Sequence, residues 1–122
     1  MRFSMEKGHH LGIPVVYVHG DADAAQNAGL QRFVLEAARG SVQGVIVDLL
    51  DVSYAEAGSL RRVAEIGEAL RSRGQRMAVV CCSENIQRIF ALSGLEQRLD
   101  VFPDLESAAE YLWSGGQARE RT

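Results

Sequence analysis

Apolar residues along this chain fall into two rhythms. Residues 45–49 and 77–82 are nearly unbroken apolar runs, the pattern of strands buried on both faces. Residues 13–18 form a third run with Pro14 near its start, where a missing N–H does least harm. Elsewhere apolar positions recur every three or four residues. Leu30, Phe33, Val34 and Ala37 predict a helix over 24–38, and Leu60, Val63, Gly67 and Leu70 predict one over 58–73. Ile86, Ile89 and Phe90 predict a short helix capped by Ser83. Leu105, Ala108, Ala109 and Leu112 predict a last one starting at Pro103-Asp104. Gly40, Gly74 and Gly94 stand where these helices should stop.

Residues 2–6 are expected to form an edge strand, Lys7 to Gly12 a turn, and the two flanking strands a hairpin. Gly20-Asp21-Ala22-Asp23 should break the second strand, and either Asp can cap the next helix. Val101-Phe102 reads as a short final strand. The order is β-β-α-β-α-β-α-β-α, which implies an α/β fold with a mixed sheet and helices packed on it. Residues 1–113 form one domain, and the polar, glycine-containing stretch 114–122 is expected to be a flexible tail.

The junction after the middle strand concentrates the chemistry. Past Asp48 the chain is expected to loop through Asp51, Ser53, Tyr54 and Glu56, and Ala57-Gly58-Ser59 then opens a helix. A strand-to-helix junction of this kind brings backbone N–H groups and short side chains to the surface, where open α/β sheets place working residues.

Composition narrows the function classes. The 122 residues suffice for one domain. A net charge of −3 without long runs argues against a generic nucleic-acid binder, which needs a basic face. No stretch has the apolar length of a membrane span or a secretory signal, so the cytoplasm is the expected compartment. Cys81 and Cys82 are adjacent and cannot close a long loop. They read as small buried hydrophobes, with a strained vicinal disulfide as the sharper alternative. His9, His10 and His19 lack a third partner at metal-ligand spacing, so no metal or other cofactor is expected. No phosphate-cradling glycine loop or recognisable nucleophile motif is present.

Four segments, in order, resemble the STAS domain, named for sulphate transporters and anti-sigma-factor antagonists. They are Gly20-Asp21-Ala22-Asp23; Val47-Asp48-Leu49 with Val52 and Tyr54; Arg73-Gly74 before Met77-Ala78-Val79-Val80; and residues 101–108. In bacterial antagonists of that family the helix-opening loop reads roughly Asp-Ser-Ser-Gly-Leu. A partner kinase, itself the anti-sigma factor, phosphorylates one hydroxyl there and so releases the antagonist. Aligned at Leu60, this chain has Glu56-Ala57-Gly58-Ser59 instead. The usual acceptor positions are Ala57 and Gly58, and Ser59 stands one place late.

The resemblance implies a non-catalytic interaction module in sigma-factor or stress regulation. Its implied partner is an anti-sigma factor of the serine-kinase type. The implied contact surface is Asp21, Asp23, Ser53, Tyr54, Glu56, Ala57, Gly58, Ser59, Leu60 and Arg61, extending along the helix to about residue 71. Ser59 is the sole candidate phosphosite in that loop and is otherwise an exposed helix-start residue bonded to its own backbone. The alternatives are an accessory STAS subunit of a transporter ATPase complex or signalling scaffold, and a small-molecule binder or enzyme on the same fold. Homodimerisation is left open.

Overall fold

The computed structural model describes residues 2–116. Strand β1 (Ser4–His10) and strand β2 (Ile13–Ala22) form an antiparallel hairpin. Leu11 and Gly12 alone make its turn, at φ 53° and φ 82°. Two successive positive φ values match the right-handed twist of the flanking strands, which is why so tight a turn closes here. The expected turn over Lys7 to Gly12 is therefore corrected. Lys7 to His10 are polar because they lie on an edge strand, and they pair with Val16 to Ile13 in strict register.

A 3₁₀ turn (Ala24–Gln26) leads into α1 (Asn27–Ala38). Then follow β3 (Gly44–Ala55), α2 (Ala57–Arg71), β4 (Arg76–Val80), α3 (Glu84–Leu92), β5 (Val101–Phe102) and α4 (Leu105–Trp113). The sheet order is β1-β2-β3-β4-β5, parallel from β2 onward. Parallel crossovers of one hand along a monotonic sheet place successive helices on the same face. Accordingly Leu30 and Val34 of α1, Val63 and Leu70 of α2, and Ile86 and Phe90 of α3 share one core with Val16, Val45, Val47 and Val79. Helix α4 alone covers the other face, where Ala108, Ala109, Tyr111 and Leu112 pack on Ile13, Val15, Ile46, Ala78 and Val80. The central strands are thus buried on both sides, as their unbroken apolar runs require.

Strand β3 departs most from expectation. It continues through Asp51, Ser53 and Tyr54 to Ala55, where a loop was expected. Beyond Asp48 it has lost β4 as a neighbour but keeps β2, with register shifts between Tyr17 and His19 and between Gly20 and Asp21. A two-stranded ribbon therefore projects from the carboxyl edge of the sheet. Likewise β2 is not broken at Gly20-Asp21 but runs to Ala22. Residues 114–116, expected to begin a flexible tail, close α4. Gly115 N–H donates to Leu112 O and Gly116 N–H to Tyr111 O, the paired bonds of a glycine stop. The remainder of that expected tail, 117–122, lies outside the described residues. Cys81 and Cys82 are both free thiols, Cys81 buried and Cys82 exposed.

Candidate functional site

The projecting ends of β2 and β3 and the first turns of α1 and α2 meet at one corner. Asp23 caps the 3₁₀ turn: its Oδ1 accepts from Ala25 N–H at 2.9 Å, while its own N–H donates to Gln26 Oε1 at 2.9 Å. Glu56 sits at the N-cap position of α2, with β-region backbone, yet makes no side-chain cap there. Its Oε1 instead accepts from Ala24 N–H at 3.1 Å, across 32 residues of sequence. Two carboxylates thus occupy the opening N–H groups of one helical segment, the end that favours negative charge. Glu56 N–H in turn donates to Ala22 O, and Glu56 O accepts from Ser59 and Leu60 N–H. Asp23 and Glu56 are joined through this segment.

Ser59 is 2% exposed. Its hydroxyl donates to Asn27 Oδ1 at 2.9 Å, tying α2 to the first residue of α1. The expectation of an exposed serine bonded to its own backbone is corrected. The helix turns Ser59 and Leu60 toward α1 and the sheet, and both are buried. Neither presents a side chain to a visitor. Exposed at the corner are Ser53, Tyr54, Glu56, Ala57, Gly58 and Arg61, with Asp21 and Asp23 half-buried. Tyr54, 57% exposed, and Leu50, 50% exposed, supply apolar surface on the projecting ribbon. A Cβ built on Gly58 would meet nothing within 4 Å, so this face of the helix opening is unobstructed.

Two residues at the root of the ribbon were not placed in the expected contact surface. Asp48, 6% exposed, accepts from Leu50 N–H at 2.8 Å, and its burial raises its pKa despite that bond. His19 Nδ1 lies 2.6 Å from Asp51 Oδ2, linking β2 to β3, with Glu6 Oε2 3.9 Å from the other ring nitrogen. The signal was there in part: an acid ending a wholly apolar run has nowhere to point but inward or along the strand edge. Asn27 and Gln26, the amides that complete the corner, had no sequence mark of their own. Among the described residues no three His, Cys, Asp or Glu side chains are grouped to hold a metal. No helix among them is long and apolar enough to cross a membrane.

The STAS domain family model matches residues 4–108. Solved structures share the fold at low identity. An anti-sigma factor antagonist from Mycobacterium paratuberculosis superposes at TM-score 0.80 with 22% identity, covering 92% of this chain and 95% of that one. The antagonist SpoIIAA in its unphosphorylated form gives 0.68 with 18% identity, covering 93% and 97%. The murine anion transporter Slc26a9 gives 0.63 with 16% identity over 82% of this chain, which amounts to 18% of the transporter. No match is found among curated protein sequences. With its mixed five-stranded sheet, its three helices on one face and the matched span of 105 residues from 4 to 108, the chain belongs to the STAS domain family and resembles the anti-sigma-factor antagonists in fold.

Proposed function

We propose that this chain is a non-catalytic protein-interaction module that binds an anti-sigma factor of the serine-kinase type through its β3–α2 corner. The observation that carries this reading is the unobstructed opening of α2. Ala57 and Gly58 are exposed, with open space where a Cβ on Gly58 would go, and Tyr54 adds an exposed ring two residues before Glu56. Small residues allow close approach, and an aromatic beside them is a common anchor of protein interfaces. Asp21, Asp23, Ser53 and Arg61 frame the contact, and Ser59 and Leu60 support it from beneath.

The corner binds without the phosphorylation switch of typical antagonists. A phosphoryl acceptor must reach the γ-phosphate in line, and the Ser59 oxygen is buried and committed to Asn27. Supporting this reading, SpoIIAA has been solved in both phosphorylated and unphosphorylated forms, whereas here the residues at the usual acceptor positions, Ala57 and Gly58, have no hydroxyl.

The test is co-purification from the native cell. Gly58→Arg places a long cation on open surface, so the fold should persist while capture of a kinase-like anti-sigma factor is lost. Capture unaffected by Gly58→Arg removes the corner as the interface. Incubation of the complex with ATP should leave the intact mass unchanged; an added phosphoryl group would restore the switch. The similarity to a domain within an anion transporter favours one second reading, an accessory subunit of a membrane transport complex. Recovery of membrane proteins and no sigma-system partner would select it.

A further inference from the structure

At the opposite edge of the sheet, where the parallel strands begin, lies a second surface of different chemistry. Three grooves meet there, all sharing Val42 in their walls. The largest, about 710 Å³, has Leu35 and Val42 beside Arg32, Arg39 and Arg73. Lys7 lines the second groove, and Arg76 and Trp113 the third. Val42 is 82% exposed and Trp113 55%, and Trp113 Nε1 donates to the carbonyl of Leu11, itself 59% exposed. Half of the six large exposed hydrophobics among the described residues are gathered here.

Val42 is not left outside by a slack loop. Gln75 donates to Ala38 O at 2.7 Å and to Ser41 O at 2.6 Å, fastening the α1–β3 loop to the α2–β4 turn. The Ser41 hydroxyl donates to Gly44 O at 2.7 Å and accepts from Gly44 N–H at 3.1 Å. The loop is braced at both ends, so its apolar side chain is held in water, where a partner that covered it would gain the free energy of burying apolar surface.

Charge selects what covers it. In a chain of net charge −3, the grooves are lined by the five cations Arg32, Arg39, Arg73, Arg76 and Lys7, with Glu36 the one acid. The carboxyl ends of α1, α2 and α4 point here and offset about half a charge each. Glu36, 3.7 Å from Arg39, offsets one more. An excess of about two and a half positive charges remains around half-buried Leu35 and exposed Val42. A bilayer would meet one continuous apolar face; here exposed Val42 stands between three separate grooves lined by cations, recesses that suit the side chains of a polypeptide segment.

We propose that this grooved face binds an acidic amphipathic segment of a partner protein, its apolar side chains seated beside Val42 and Leu35 and its carboxylates on Arg32, Arg39 and Arg73. The site lies at the other edge of the sheet from the β3–α2 corner and does not depend on what binds there.

A fluorescent amphipathic helical peptide, glutamates on one face and leucines on the other, is titrated against the full chain by anisotropy. Saturable, salt-sensitive binding is expected, weakened about tenfold or more in Arg39→Glu/Arg73→Glu and in Val42→Asp. Gly58→Arg should leave it unchanged, which separates this site from the corner. Unfolding midpoints check that the variants are folded, and Arg39→Gln/Arg73→Gln gives an intermediate loss if charge is the cause. Four results overturn the proposal: no saturation up to millimolar peptide, equal binding of a lysine-faced peptide, indifference to the arginine substitutions, or co-sedimentation with phosphatidylserine vesicles without peptide binding.

Discussion

The Ser59 hydroxyl gives its one proton to Asn27 inside the α1–α2 contact. Ser59→Ala should therefore cost about 1 kcal/mol, because the Asn27 acceptor is left without that donor; urea unfolding at unchanged slope checks it. Gly58, one residue earlier, behaves oppositely. It is helical with open space where a Cβ would go. Gly58→Ala should stabilise by about 0.5 kcal/mol through the unfolded chain. Because the proposed contact relies on close approach here, Gly58→Ala should also weaken capture of the anti-sigma partner. Asp48 carries a pH signature. Its folded pKa is raised, so the native state holds this proton more tightly than the unfolded chain does. Stability then falls as pH rises from the unfolded value up to the folded one, and is level above it. Asp48→Asn keeps an acceptor for Leu50 N–H and should remove that decline. Unfolding midpoints between about pH 3.5 and 7 would show it, with the variant at least as stable at neutrality.

At the scale of elements, the helices and central strands were legible because burial on fixed faces writes a period into the sequence. Leu30, Val34, Val63, Leu70, Ile86 and Phe90 all point where their spacing said. What was hidden lay where burial is one-sided. The stretch from Leu50 to Tyr54 pairs with β2 alone, so Asp51 and Ser53 sit on a strand while looking like loop residues. The same applies to Lys7 and His9 on edge strand β1. The burial of Ser59 was hidden for a different reason: at a helix start a serine serves equally as cap or as a small core residue, and only the position of Asn27 decides. Two substitutions test the element packing. Leu70→Ala should cost about 3 kcal/mol, since Leu70 is fully buried between α2 and the sheet. Gly44→Ala should cost about as much at a residue with no side chain at all. Gly44 has φ 126°, and a Cβ there would lie 1.8 Å from Arg76 O, so β3 and β4 cannot keep their spacing. Thermal melts of both variants give the comparison.

Across the whole molecule the two surfaces differ in charge. Asp21, Asp23, Asp51 and Glu56 gather where the parallel strands finish, beside Arg61, whereas Arg32, Arg39 and Arg73 line the groove where they begin. Sites this far apart in the fold, with no shared side chain, are expected to act independently. A variant combining Gly58→Arg with Arg39→Glu/Arg73→Glu should lose both kinds of binding, each by the same factor as in the variant of that site alone. Titration of each single and combined variant with each partner measures any coupling.

The chain's lone tryptophan leans on the tip of the β1–β2 hairpin, its indole N–H held by Leu11. Intrinsic emission therefore carries a positional meaning in this protein. A ligand that reaches past Val42 into the groove that Trp113 lines displaces water from that indole and should move the spectrum toward the blue, whereas occupation of the far corner should be optically silent.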